Sequence, residues 1–373
     1  MLNNKALAKL KAMGGGSGGG GGSGDSGGGA VSVAEKDVNF YDYDGTCLHS
    51  YTVAEAQALT ELPPLPEQKG LVCQGWNWSL EDIKAHNRAI NVGAMYITDD
   101  GKTRIYIHLE EGRTSPVLGV CPNGTVTVDW GDGTEPDVLT GTSTGTVKWT
   151  PTHDYASAGD YVVTLSVDGK MGLGGLSSSA LGSYILRHSS SSDAKNKLYQ
   201  NSVRKMEIGD GVTSISGYSF YNCYALKSVT IPNGVTSIND YAFYNCYALK
   251  SVTIPDGVKS ISGYSFCNCY ALKSVTIPYG VTKIAGFTLS NCCSLTIVII
   301  PKSVGSIDAN AFISCSGVRY YDFTSHTSVP TLSNTNAFQS IASDCEIRVP
   351  AALCDEWIAA TNWATYASQI VAV

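Results

Sequence analysis

The sequence has few charged residues, and positive ones are the scarcer kind. Only 15% of its 373 residues are charged, and 25 Lys and Arg stand against 32 Asp and Glu, which gives a net charge of −7. This deficit argues against the positive surface that nucleic acids and anionic membranes attract. No stretch approaches the ~20 apolar residues that a membrane helix needs. We therefore predict neither nucleic-acid binding nor membrane insertion.

Export signals and metal-binding motifs are also missing. The first residues, MLNNKALAKLKAM, contain neither a long apolar run nor a small-residue cleavage site, so they do not resemble a secretory signal. The six histidines lie far apart, and no HxxxH or CxxC motif occurs. We expect no metal and no cofactor. We also expect a chain that works where it is made or leaves the cell within a larger particle.

Glycine, by contrast, is abundant, and much of it lies near the N-terminus. Residues 14–30 are almost entirely glycine and serine, a composition that behaves as a flexible tether. The tether follows a helix-prone peptide, residues 1–13, which we interpret as an anchor to a larger assembly. A disordered or vector-derived tail is the alternative.

The C-terminal half repeats itself every 23 residues. Cysteine recurs at this step from Cys223 to Cys315, and proline recurs from Pro232 to Pro301. Such a period predicts a solenoid, whose units bury their apolar side chains only by stacking on each other. In the unit ALKSVTIP, a short strand would direct Leu226, Val229 and Ile231 inward and Ser228 and Thr230 outward.

The repeat motif F-x-N-C-x-x-L-x-x-V-x-I-P closely resembles the BspA-like leucine-rich repeat of bacterial surface antigens, over residues 203–350. The resemblance implies a role in adhesion rather than catalysis. It also implies a helical cap over residues 351–373, in which the last rung would be covered by Trp357, Trp363, Tyr366 and Ile370.

The recurring cysteines occupy one inward position of the predicted repeat. In stacked strands their Cβ atoms would lie about 4.8 Å apart, which is wider than the roughly 3.5–4.5 Å of a disulfide. We predict that Cys223 and its equivalents are buried, reduced thiols.

A second resemblance precedes the repeats. VTVDWGDGTEP and the following THDYASAGDYVVTLSV resemble the PKD domain, an immunoglobulin-like β-sandwich. Trp130 to Thr134 would form its turn, and Tyr155, Tyr161 and Val163 would lie in its alternating strands. We therefore predict a PKD-like domain over residues 102–169, with a linker and solenoid cap over residues 170–202.

Residues 31–101 are predicted to form a small α+β module. Its DYDGT stretch, Asp42 to Thr46, resembles the first motif of haloacid-dehalogenase-type phosphatases, in which Asp42 would be the nucleophile and Asp44 the acid/base. However, residues 47–120 lack the alternating buried strands and crossover helices of a parallel sheet. We predict instead a β-hairpin leading into a helix capped by Thr52. Residues 36–115 are also similar to structural modules of gut bacteriophages.

Together these features predict a mainly β, multidomain, non-enzymatic adhesion or receptor-binding protein. The favoured setting is a bacteriophage tail fibre or other virion appendage that binds a host cell-surface glycan or protein and docks to other virion proteins through residues 1–13. A bacterial cell-surface leucine-rich-repeat adhesin is the first alternative, and a Mg²⁺-dependent phosphatase is the second. Whether copies of the chain associate with one another is left open.

The candidate binding residues lie on the predicted solenoid, where the 23-residue period would stack equivalent side chains into rows. Periodic tyrosines beside polar groups suit a repetitive ligand such as a glycan, because their ring faces can pack against sugar rings. The alternative is that tyrosine and threonine simply suit strands and rims. The three predicted rows are Tyr218, Tyr241 and Tyr264; Tyr224, Tyr247 and Tyr270; and Lys227, Lys250 and Lys273.

Overall fold

The structure is a computed structural model that describes residues 37–76, 79–85, 90–144, 147–174, 184–188 and 199–373. The predicted anchor, residues 1–13, and the tether, residues 14–30, lie outside the described residues. In the part of the chain that is described, no helix is long and apolar enough to cross a membrane.

The N-terminal module is a four-stranded sheet with two short helices. Its strand order is β2-β1-β4-β3, with β1 and β2 antiparallel and β1 and β4 parallel. The predicted hairpin and helix are confirmed, because the Thr52 side chain accepts from the Glu55 amide and the Glu55 carboxylate accepts from the Thr52 amide. The elements are β1 (Val38–Tyr41), β2 (Cys47–Tyr51), α1 (Val53–Gln57), β3 (Leu71–Trp76), α2 (Leu80–Ala85) and β4 (Ile90–Thr98).

The next six strands join the module to the solenoid. They are β5 (Thr103–Leu109), β6 (Pro116–Asp129), β7 (Asp137–Thr142), β8 (Lys148–Trp149), β9 (Gly159–Leu173) and β10 (Leu186–His188). Strand β5 pairs antiparallel with β9, and β6 pairs antiparallel with β7, β8, β9 and β10.

These strands differ from the separate PKD-like domain and linker that the sequence suggested. Strand β5 also pairs with the solenoid strand β11, and β9 pairs with β12, so all belong to one 11-stranded sheet. The end of β9 extends into residues 170–202, where a linker was expected. The physical reason is that the first rung of a solenoid has open backbone groups on one side, and a neighbouring β-segment satisfies them.

The solenoid itself consists of two stacks of short parallel strands. One stack continues the sheet face that meets the N-terminal module: β11 (Val203–Glu207), β13 (Ser228–Thr230), β15 (Ser251–Val252), β17 (Ser274–Val275), β19 (Ile297–Ile299), β21 (Tyr320–Asp322) and β23 (Glu346–Val349). The other comprises β12 (Val212–Ile215), β14 (Ser237–Ile238), β16 (Ser260–Ile261), β18 (Lys283–Ile284), β20 (Ser306–Ile307) and β22 (Thr331–Leu332). We call the outward side of the first stack the strand face.

Two hydrophobic cores lie side by side. One runs without interruption from Ile105 in β5 through every rung to Ile370. The other belongs to the N-terminal module and includes Phe40 and Trp76, with Ile299 of the solenoid packed against it. The module therefore has its own core, while the β5–β10 segment shares the core of the solenoid.

The C-terminal end is only partly helical. Two 3-10 turns, Ala351–Leu353 and Trp363–Tyr366, flank α3 (Cys354–Ala359), and β24 (Ile370–Ala372) then pairs parallel with β23. The expected helical cap is therefore only part of this segment, which also adds one more strand, and that strand satisfies the backbone edge of β23. The four side chains expected to cover the last rung, Trp357, Trp363, Tyr366 and Ile370, are all buried.

The predicted cysteine ladder lies inside the solenoid, and all twelve cysteines of the chain are free thiols. Four of the ladder thiols each donate to a backbone carbonyl 26 residues earlier, at 3.1 to 3.3 Å: Cys246 to Phe220, Cys269 to Phe243, Cys292 to Phe266 and Cys315 to Leu289. Burial raises the pKa of Cys246 well above its ordinary value, so the thiol stays protonated.

Candidate binding surface

The first predicted tyrosine row forms a continuous stack of rings. The ring centroids of Tyr218 and Tyr241 are 4.8 Å apart, and those of Tyr241 and Tyr264 are 4.6 Å apart, with planes within 9° of parallel in both pairs. Phe287, at the equivalent position of the next rung, extends the stack at 4.4 Å. We call these four rings the outer row.

All four rings of the outer row sit on left-handed backbone. Tyr218, Tyr241, Tyr264 and Phe287 have φ values of 58 to 61°. A bulky residue rarely adopts this conformation, so the surrounding turn must impose it. The amide of Tyr218 donates to the Asp240 carbonyl of the next rung at 3.0 Å, and Tyr241 and Tyr264 make equivalent bonds. Rung-to-rung hydrogen bonding therefore holds the three tyrosines of the outer row in place.

The second predicted row lies at the edge of this surface. Tyr224 stacks on Tyr247 at 4.8 Å and Tyr247 on Tyr270 at 5.0 Å, with the planes tilted by 24° and 27°. Tyr247 and Tyr270 are among the most exposed large apolar side chains described, at 38% and 44%. We call these three residues the rim row.

A third row, between the other two, was missed. Tyr221 and Tyr244 stack at 5.0 Å and 8°, and each meets the outer row in a tilted or edge-on contact, 5.4 Å for Tyr218 and Tyr221. The same period would have revealed this middle row, but the third unit has Cys267 at this position, so the row is short. The outer, middle and rim rows together form what we call the tyrosine face.

An asparagine ladder beneath the tyrosine face was also missed. Asn245 Nδ2 donates to Asn222 Oδ1, Asn268 to Asn245, and Asn291 to Asn268, each at 2.7 Å. All four have φ values near +60°, which asparagine tolerates better than most residues. The signal was present in the repeated Asn of F-x-N-C, since a polar residue kept at one position of a solenoid can bond to its own copy in the next rung.

Stacking changes what the tyrosine face presents to a ligand. The faces of interior rings such as Tyr241 and Tyr247 are covered by their neighbours, so a sugar ring has no access to the face of every tyrosine. What remains is a row of ring edges and phenol hydroxyls at one rung spacing. Burial, together with the neighbouring Tyr264 and Tyr218, raises the pKa of Tyr241 to about 12. Its hydroxyl is therefore protonated at neutral pH and can both donate and accept hydrogen bonds.

The predicted lysine row borders the rim row. Lys250 and Lys273 are exposed and Lys227 is half-buried. Their backbones form a ladder, with the Lys273 amide donating to the Lys250 carbonyl at 2.8 Å. The structure thus places all nine predicted residues in three parallel rows, with the lysines on the side nearest the strand face.

The strand face, expected to be an exposed polar surface, is largely covered. Ser228, Thr230 and Ser251 are buried, because the N-terminal module lies on this face. Ser251 Oγ donates to the Tyr43 carbonyl at 3.1 Å, and Lys205 Nζ donates to the Tyr43 hydroxyl at 2.9 Å. The expectation that Ser228 and Thr230 point to solvent is therefore wrong.

The Asp42–Thr46 motif supplies part of this contact. Asp42 accepts from the Tyr43 amide and from Gln68 Nε2, both at 2.8 Å, and burial raises its pKa. Gly45 has φ +82° and lies so close to Lys250 that an added Cβ would come within 2.9 Å of the lysine Cβ. The motif thus forms a tight turn that docks the module on the solenoid. Among the described residues, no three His, Cys, Asp or Glu side chains converge where a metal ion could be held.

The repeats match a known protein family. Residues 194–319 match the model of the BspA type leucine-rich repeat region, in six copies. The chain therefore carries a BspA-type leucine-rich repeat region, and its mainly β solenoid is the fold of such repeats. No curated protein matches the sequence.

Several solved structures are similar to parts of the chain. A Treponema pallidum leucine-rich repeat protein is 24% identical over 37% of this chain and 66% of its own, with a TM-score of 0.29. A leucine-rich repeat protein from Bacteroides ovatus is 19% identical over 60% and 64%, with a TM-score of 0.33. A leucine-rich cell surface protein from Faecalibacterium prausnitzii is 18% identical over 40% and 60%, with a TM-score of 0.23. Each match spans less than two thirds of the relative's length.

Proposed function

We propose that this chain is a non-enzymatic adhesion protein of the bacterial cell surface and that its tyrosine face binds a glycan or protein of the target. The observation that carries the proposal is the set of three aromatic rows at one rung spacing. A repetitive surface suits a repetitive ligand, because weak contacts made at each rung act together. The setting is the one named for the F. prausnitzii protein, and the BspA-type repeats are compatible with it.

The virion setting stays a prediction. It depended on the peptide 1–13 and the tether 14–30, which lie outside the described residues, and on the bacteriophage-like similarity of residues 36–115. Deleting residues 1–13 tests it. If the chain docks to a particle through this peptide, deletion should abolish incorporation while the solenoid still folds. Normal incorporation of the deleted form would contradict docking through this peptide.

The absence of catalysis is part of the proposal. The supporting observation is that the Asp42 carboxylate is buried and already accepts two hydrogen bonds, so it is poorly placed to attack a phosphate. We expect no Mg²⁺-dependent hydrolysis of a generic phosphate ester by the purified chain. Hydrolysis that disappears in Asp42→Asn would overturn the non-enzymatic part of the proposal.

Two triple variants of the rim row test the binding surface. Changing Tyr224, Tyr247 and Tyr270 to Phe keeps the stacked rings and removes only the hydroxyls. Changing all three to Ser removes the rings as well. Binding would be measured to intact bacterial cells and to an immobilised panel of glycans, and thermal melts would confirm that both variants fold.

The structure predicts that the Phe variant binds at least about tenfold more weakly, since each lost hydrogen bond contributes about 0.5–1.5 kcal/mol. The Ser variant should bind more weakly still. Full binding by the Ser variant would show that the rim row is scaffold. If the Phe variant binds fully and the Ser variant does not, the ring edges rather than the hydroxyls make the contact.

A further inference from the structure

The rim row ends abruptly at Tyr270. The next two rungs carry Cys293 and Ser316 at the equivalent position, and both are exposed. No ring therefore continues the row past Tyr270, and the face of Tyr270 that points toward these rungs is not stacked. Its exposure rises accordingly, to 44% from the 38% of Tyr247. Cys293 and Ser316 form a shelf of small side chains beside this open ring face.

A polar cleft of about 580 Å³ begins where the shelf ends. Ser316 belongs to both, and the cleft continues between the last rungs and the N-terminal module, lined among others by Asp37, Val53, Arg319, Asp344 and Glu346. The Arg348 side chain lines one side of the cleft and is held in position by two contacts. Its Nε donates to Glu346 Oε2 at 2.6 Å, and its guanidinium lies 3.7 Å from the centre of the Tyr320 ring.

The distance from the ring to the cleft is short. Successive strands lie about 4.8 Å apart, so two rungs separate Tyr270 from Ser316 by roughly 10 Å. An extended chain of a few sugar units spans this length. Three carboxylates, Asp37, Asp344 and Glu346, face two guanidinium groups in the cleft, so the lining offers no net attraction to a polyanion.

We propose that Tyr270 and this cleft form an end site for a neutral carbohydrate chain. One pyranose ring packs its apolar face on the open face of Tyr270. The following units cross the shelf and bring their hydroxyls to the cleft, where the Arg319 guanidinium donates and the Asp344 carboxylate accepts. This proposal rests on the proposed function. It specifies the ligand as a neutral carbohydrate and places it at the end of the rim row.

Extending the rim row tests the ring-stacking step. Cys293→Tyr adds a ring that covers the open face of Tyr270, whereas Cys293→Ser keeps the shelf and serves as the matched control. With cellohexaose as the probe, measured by calorimetry, we expect Cys293→Tyr to weaken binding at least about tenfold and Cys293→Ser to change it less than about twofold. Melting temperatures of both variants check folding.

The same variant separates this proposal from the proposed function. If the rows bind through their edges alone, a longer row should bind as well or better. Unchanged or stronger binding by Cys293→Tyr, with weaker binding by the rim-row Phe variant, would overturn the end site and leave the proposed function standing. If neither variant changes binding, both proposals fail.

The cleft is tested with ligand length and charge. Asp344→Asn and Arg319→Gln should weaken cellohexaose binding about tenfold and leave the much weaker binding of cellobiose unchanged, because the disaccharide is too short to reach them. Polygalacturonate should bind more weakly than cellohexaose. Insensitivity of cellohexaose to both substitutions, or stronger binding of polygalacturonate, would overturn the role given to the cleft.

Discussion

The tyrosine face and the strand face are built by the same repeat, yet only one of them is free. Both arise because a 23-residue period places equivalent side chains one rung apart. On the tyrosine face this yields stacked rings whose edges reach solvent. On the strand face it yields serine and threonine rows, which the N-terminal module then buries. Periodicity therefore determines that rows exist, and docking of another part of the chain determines which rows a ligand can reach.

Polar contacts join the covered face to the module. Lys205 of β11 donates to the Tyr43 hydroxyl of the module and pairs with Glu207 Oε1 at 2.6 Å. Tyr106 of β5 donates to Glu207 Oε2 at 2.8 Å. Burial lowers the pKa of Lys205, but Glu207 and Tyr43 outweigh this effect and hold its pKa above the usual value. One charge pair thus connects the module, the β5–β10 segment and the first rung.

The largest expected effect comes from breaking this pair. Lys205→Met should destabilise the protein by about 3 kcal/mol, because it leaves the Glu207 carboxylate buried without its cation. The double variant Lys205→Met/Glu207→Met should recover most of the loss, since no uncompensated charge remains. Denaturant unfolding measures both. A double variant as unstable as the single one would show that the pair itself, rather than the orphaned charge, provides the stability.

A smaller effect is expected where β4 of the module lies against a solenoid side chain. An added Cβ at Gly93 of β4 would lie 2.5 Å from Thr253 Oγ1 of the solenoid. Gly93→Ala should therefore cost about 1–3 kcal/mol and increase hydrogen exchange on the strand face at Ser251 and Val252, with no change on the tyrosine face. Adding Thr253→Ala removes the clashing hydroxyl and should restore both the stability and the slow hydrogen exchange. Equal exchange on the two faces would argue against a module that covers only one.

The thiol ladder is the next test, because it lies in the core that the two faces share. Cys246→Ser should cost only about 0.5–1.5 kcal/mol, since the hydroxyl can still donate to the Phe220 carbonyl. Alkylating reagents should label the exposed Cys73 and Cys293 in the native protein, and Cys223 and its ladder equivalents only after unfolding. Ladder disulfides found by mass spectrometry would contradict this packing.

The smallest effect concerns Asp42 in the docking turn. Burial raises its pKa above the ordinary value of 3.8, so its contribution to stability is present at low pH and is lost as pH rises through the raised pKa. Asp42→Asn should flatten this decline and change stability by less than about 1 kcal/mol at neutral pH. Asp44→Asn, in the same turn, is the matched control. Melting curves across the acidic range with the same slope in wild type and Asp42→Asn would refute this role.

Much of the fold was predictable because it depends on local or strictly periodic signals. The inward positions Leu226 and Val229, the thiol ladder and the Thr52 cap follow from strand alternation, a fixed repeat and capping chemistry. The boundary of the segment from β5 to β10, predicted to be a separate PKD-like domain, was not predictable in this way. The strands of this segment alternate apolar and polar residues, as the strands of a separate β-domain would. Whether they pair only with each other or also with β11 and β12 depends on the open strand edges of the folded solenoid.

The sequence by itself thus determined the solenoid and the rows of equivalent residues, since a period of 23 residues specifies which side chains meet in neighbouring rungs. Only the tertiary structure decided which atoms of those rows are accessible to a ligand. Left-handed backbone at Tyr218 and its equivalents turns the rings face to face and leaves their edges outward. The contact of Tyr43 with Ser251, 208 residues apart, covers the strand face. Neither follows from the repeat period alone, because the first depends on the backbone conformation of the folded turn and the second on residues that only folding brings together.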